Sequence, residues 1–179
     1  MFPLFRRALF CLCLFPLSGF SETEMTWDNA GIYSETRGAP EKSLIQSLAP
    51  KAKISEEKDG EKTKFTCQWP DVTVTINIDP HWNLADQIHE MKRFIEHFTG
   101  KENTSPSAAM LLKKLDATAD CYGCVITPHY DPEGKAAALL LSLAAKRHGV
   151  VFTHQSFYDT DGNRIIGVAD DPAVLPVAK

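Results

Sequence analysis

Two cysteines separated by two residues are the first feature of the sequence that could carry chemistry. Cys121 and Cys124 have the spacing of a redox pair or of half a zinc site. A reactive thiol of the thioredoxin type needs a helix N-terminus to lower its pKa, whereas Cys121 follows a predicted helix and enters a predicted strand. Side chains three positions apart on a regular strand point to opposite faces, so a disulfide within the pair would need a turn. We therefore favour structural cysteines; the alternatives are a disulfide involving Cys67, a redox pair, and metal binding with help from Cys67 and His129.

A second group of candidates, one histidine with three aspartates, follows the predicted ends of two strands; its members are His129, Asp131, Asp159 and Asp161. The strands are predicted at 122–128 and 150–158. If they are parallel neighbours, their carboxyl ends meet at one edge of the sheet, where open α/β sheets bind ligands. An imidazole with three carboxylates could hold a divalent metal or act as an acid–base pair.

Each of these aspartates also has a structural interpretation. Asp131 is a candidate helix cap, and Asp159 and Asp161 belong to an Asp-Gly-Asn turn. Aspartates at alternating positions also occur in calcium-binding loops, but the glycine that such a loop needs at its sixth position is Arg164 here. The sequence contains no nucleophile elbow, Walker loop or dinucleotide-binding glycine pattern. It therefore predicts neither a cofactor nor an assigned catalytic or metal-binding residue.

The first 21 residues have the organisation of a secretory signal peptide. Arg6 and Arg7 form a positive region, residues 8–17 are largely apolar, and Gly19 and Ser21 are small residues at an expected cleavage site. The apolar run is shorter than the ~20 residues of a membrane-spanning helix. We expect export to the periplasm or the medium after cleavage near Ser21, with an uncleaved interfacial anchor as the alternative.

Composition limits the classes of partner. The 179 residues are 44% apolar and 23% charged, with a net charge of −4, which is typical of a globular protein. Because there is no excess of basic residues, nucleic acid is an unsuitable partner. We expect a protein or small-molecule partner of unknown identity, and no membrane span in the mature chain.

The elements that would position the candidates follow from periodicity. Residues 22–51 contain scattered turn formers and predict a loosely packed N-terminal arm, and residues 52–179 predict a single α+β domain. Asp59 and Gly60 suit the turn of a charged hairpin. Alternation over 72–79 predicts a strand with one buried face. Amphipathic stripes predict three helices, at 84–98, 108–119 and 136–143. We expect Ser105 to cap the second helix, with Pro106 at its first position, and Asp131 to cap the third, which would begin at Pro132.

The fold and function follow from these elements. We expect a two-layer α+β sandwich in which a mixed, mostly antiparallel sheet of four to six strands carries the helices mainly on one face, with a ferredoxin-like arrangement as the nearest simple architecture. The polar candidates all have structural explanations, which favours a non-catalytic binding or structural module of the cell envelope. The alternative is a small metal- or thiol-dependent enzyme that uses His129 with Asp159 and Asp161, or the pair Cys121 and Cys124.

Overall fold

Residues 27–99 and 105–167 are described by the structure, which is a computed structural model. The predicted signal peptide and its cleavage site near Ser21 lie outside these ranges. The helices within them are α1 (Lys42–Leu48), α2 (Leu84–Thr99), α3 (Pro106–Asp116) and α4 (Lys135–Lys146). The strands within them are β1 (Asp28–Ser34), β2 (Lys53–Asp59), β3 (Lys62–Gln68), β4 (Thr73–Ile78), β5 (Asp120–Thr127), β6 (Val150–Thr153), β7 (Ser156–Tyr158) and β8 (Arg164–Gly167).

All the strands of the described ranges belong to one sheet. Their order is β2-β3-β4-β5-β1-β6-β7-β8, and every neighbouring pair is antiparallel. The expected mixed sheet of four to six strands is therefore wrong, because the sheet has eight strands and is antiparallel throughout. The predicted charged hairpin is confirmed as β2 and β3, and the predicted alternating strand is confirmed as β4.

Two features of the sheet account for the larger number of strands. The first is β1, a central strand whose sequence contains Asp28, Asn29 and Gly31, residue types that are depleted in strands. It lies within the range 22–51, where an arm was expected, and it pairs with β5 on one side and β6 on the other. The structure therefore separates β5 from β6 by one strand.

The second feature is a hairpin in place of the single strand expected at 150–158. The chain reverses at His154 and Gln155, whose φ angles are 45° and 53°. Left-handed φ at both central residues is the requirement of a two-residue type I′ turn. This turn lacks the asparagine and glycine that mark such turns in most sequences, so the expected single strand is wrong.

Helices cover both faces of the sheet. We call the side that carries Ile32 and Ile76 the first face; α1 and α4 pack there in one core. The side that carries Tyr33 and Phe157 is the second face, and α2 and α3 pack there in another core. The expected two-layer, ferredoxin-like sandwich with helices mainly on one face is therefore wrong. An amphipathic stripe shows which side of a helix is buried, but it does not show on which face of a sheet the helix packs.

No helix in the described ranges combines the length and the apolar character that crossing a membrane would need.

The starts of α3 and α4 differ in their capping. Ser105 caps α3 as predicted, because its Oγ accepts a hydrogen bond from the Ala108 N–H at 3.1 Å. The start of α4 is three residues later than Pro132, where we expected it, and the residue before its first turn is Gly134. Asp131 is not the cap, because its Oδ1 accepts the N–H of Glu133 at 3.0 Å in a turn that precedes the helix.

Arg147, directly after α4, forms hydrogen bonds to the loop that joins β1 to α1. Its Nε donates to the Tyr122 hydroxyl at 2.9 Å. Its terminal guanidinium nitrogen donates to the carbonyl oxygens of Thr36, Arg37 and Gly38 at 3.1, 3.0 and 2.5 Å. The Tyr122 hydroxyl in turn donates to the Gly38 carbonyl at 3.0 Å. We call these contacts the Arg147 network; they join β1, β5 and α4 at one end of the sheet.

Candidate functional site

The histidine and aspartates expected at one edge of the sheet lie at opposite ends of it. β5 and β6 run in the same direction, but β1 lies between them. His129 and Asp131 follow β5. Asp159 and Asp161 follow β7, which runs opposite to β6 and therefore returns to the other end of the sheet. The expectation that these four side chains lie together is thus wrong. Within the described ranges no three His, Cys, Asp or Glu side chains are placed to hold a metal ion.

The carboxylate of Asp159 is used by its own loop. Its Oδ1 accepts the N–H groups of Asp161 at 2.9 Å and Asn163 at 2.8 Å, and the Asn163 amide donates to both carboxylate oxygens. This is the pattern of an Asx turn, in which the side chain replaces a backbone acceptor. The loop between β7 and β8 is therefore explained by its turn chemistry.

His129 and Asp131 line a small recess of about 140 Å³ beside the start of α4. Its lining includes an ion pair in which the Lys135 ammonium donates to both carboxylate oxygens of Asp71, at 2.5 and 2.8 Å. The hydrogen bond from Lys135 is the main reason why the pKa of Asp71 lies below its usual value. Both partners of this pair are largely exposed, so water screens the interaction.

The three cysteines are free thiols in the two cores. Cys121 is buried on the second face, whereas Cys124 and Cys67 are buried on the first face, which confirms that Cys121 and Cys124 point to opposite sides. Burial raises the pKa of Cys67 from its usual 9.0 to about 11 and that of Cys121 to about 12, and it raises the pKa of Cys124 further. Thiols of this kind are protonated at neutral pH, whereas the thiolate is the form that attacks disulfides or binds metals.

We expect these three thiols not to react with thiol reagents in the folded protein. At pH 8, Ellman's reagent should label none of Cys67, Cys121 and Cys124 in minutes, because each is buried and protonated. All three should react once the chain is unfolded in guanidinium chloride. Alkylation under both conditions, followed by mass spectrometry of the peptides, would show which cysteine reacts. Rapid labelling of Cys121 or Cys124 in the folded state would instead favour the thiol-dependent enzyme.

A hydroxyl, an imidazole and a carboxylate do approach one another near the start of β1, which the sequence analysis did not detect. The Thr153 Oγ1 lies 3.3 Å from His154 Nδ1, and His154 Nε2 lies 3.4 Å from the Asp28 carboxylate. Thr153 is only 1% exposed, and its hydroxyl donates to the Asn29 carbonyl at 3.1 Å. Because a substrate cannot reach this hydroxyl, the three residues join the β6–β7 turn to β1 and do not form a nucleophilic site. Only the fold brings position 28 beside position 154, so sequence spacing carried no signal.

An apolar recess of about 560 Å³ lies between the end of α1 and the turn from β3 to β4. Its wall includes Leu48, Pro50 and Trp69, with Lys51 and Lys135 at the rim. The Trp69 indole N–H donates to the Pro50 carbonyl at 3.1 Å, so this ring is a fixed part of the first core. Nothing in the described ranges indicates a ligand for this recess.

The second face of the sheet is covered over only part of its width. Along β4, the first-face side chains of Val74, Ile76 and Ile78 are buried, while Thr73 and Thr75 on the second face are half exposed. Among the described residues, the second core contains no side chain from β2, β3 or β4. α2 and α3 therefore leave this half of the second face open to solvent.

We call this surface the open half-face. The strand registers place Thr73 between Thr127 and Gln68, and Thr75 between Val125 and Thr66. The neighbouring row contains Asn77 and Gly123, and Asn29 is opposite Val125 on β1. Its members are Asn29, Lys53, Ser55, Glu57, Lys64, Thr66, Gln68, Thr73, Thr75, Asn77, Gly123, Val125 and Thr127.

Two tryptophans lie next to strands of the open half-face. Trp27 directly precedes β1 in sequence and is 57% exposed. Trp82 lies against Gly123 so closely that a Cβ added there would be 2.7 Å from the indole ring. Glycine at 123 is thus what allows this ring to lie against β5. A polar sheet surface with a large aromatic ring on it is able to bind an extended ligand.

Comparison with known proteins does not extend these observations: no protein-family model, curated protein or solved structure matches the chain.

Proposed function

We propose that the protein is a non-catalytic binding module of the cell envelope and that the open half-face is its contact surface. The observation that carries the proposal is the open half-face itself, a strip of sheet whose side chains, among the described residues, do not belong to the core under α2 and α3, with Trp27, which is 57% exposed, directly before the neighbouring strand β1. Isolated exposed aromatic rings are common, but aromatic side chains are enriched at binding surfaces, where they contribute most of the affinity. The export step rests on the predicted signal peptide.

The chemistry of the candidate catalytic groups supports a binding role. The thiols are buried and their pKa values are raised, the two pairs of residues in the His/Asp group lie at opposite ends of the sheet, and the Asp159 carboxylate is used by its loop. The Thr153 hydroxyl is inaccessible. In the part of the chain that the structure describes, the open half-face offers a partly exposed surface of mostly polar side chains.

Amide chemical shifts of the isotope-labelled chain would test the proposal. The probes would be cellohexaose, chitohexaose, mannohexaose, a decapeptide of mixed sequence and an oligothymidine. We expect at least one probe to move amide signals of β4 and β5, and to leave those of α1 and α4 unchanged.

A matched pair of variants gives the control. Val125→Lys places a charged chain in the middle of the open half-face and should abolish these shifts, while Ala109→Lys on the exposed side of α3 should preserve them. The proposal would be refuted if none of the probes moved the β4 and β5 signals, or if the shifts mapped to the apolar recess at Leu48 and Trp69.

A further inference from the structure

We draw no further inference here: the strongest candidate, the apolar recess between the end of α1 and the turn from β3 to β4, carries none, because nothing in the part of the chain that the structure describes shows what covers it.

Discussion

Replacing Phe157 by alanine is expected to reduce the free energy of unfolding by about 3–5 kcal/mol. Phe157 is completely buried in the second core, and its ring centroid lies 4.7 Å from that of Phe152, 5.9 Å from that of Tyr33 and 6.1 Å from that of Phe94. Its removal would leave a cavity between the sheet and α2 in which three aromatic neighbours lose a contact. Equilibrium unfolding in urea, followed by tryptophan fluorescence and circular dichroism, would measure the loss.

Phe98→Ala is the matched control for this experiment. Phe98 belongs to the same helix as Phe94, and the centroids of the two rings are 4.6 Å apart, but 40% of the Phe98 surface is exposed. We expect a loss below about 1 kcal/mol for this variant. Equal losses for the two variants would contradict the packing of α2 and α3 on the second face.

Replacing Arg147 by alanine is expected to reduce the free energy of unfolding by about 2–4 kcal/mol, because hydrogen bonds from a charged group contribute more than neutral ones. The variant would leave the Tyr122 hydroxyl without its donor and three loop carbonyls without the guanidinium. Burial raises the pKa of Tyr122, which remains a neutral phenol that needs a partner. Thermal unfolding together with hydrogen exchange of the loop after β1 would show both the global and the local effect.

Two further variants separate charge from geometry at this position. Lys146→Ala removes one positive charge from the adjacent exposed residue and should change the stability by less than about 0.5 kcal/mol. Arg147→Lys keeps the charge but lacks the planar fork that reaches several carbonyls at once, so it should restore only part of the loss. Full recovery with lysine would contradict the role that we give to the Arg147 network.

The parts of the fold that the sequence predicted are those with strong local signals. The alternation of Val74, Ile76 and Ile78 identified β4 and its buried side, and Ser105 followed by Pro106 identified the start of α3. The opposite orientation of Cys121 and Cys124 followed from strand geometry alone. In each case the determining interaction lies within a few residues of the pattern.

The features that could not be predicted depend on residues distant in sequence. β1 has weak strand propensity, and it is held in the sheet by β5 and β6, whose residues follow about a hundred positions later. The turn at His154 and Gln155 has none of the usual turn residues, so the single strand expected there concealed a hairpin and displaced Asp159 to the other end of the sheet. The polar side of β4 was predicted, but the pairing of β4 with β5, which follows more than forty residues later, depends on the whole topology.

The central position of β1 has a consequence for how the chain folds. Ile32 pairs with Tyr122 on one side and with Val151 on the other, so β1, the first strand of the described ranges, acquires these two neighbours only after most of the later strands have been synthesised. Closing such long loops is entropically costly and slows folding. A nascent chain that still lacks the β6 sequence would therefore leave β1 without one of its two neighbours, and the native sheet would close in a late step once that sequence is available.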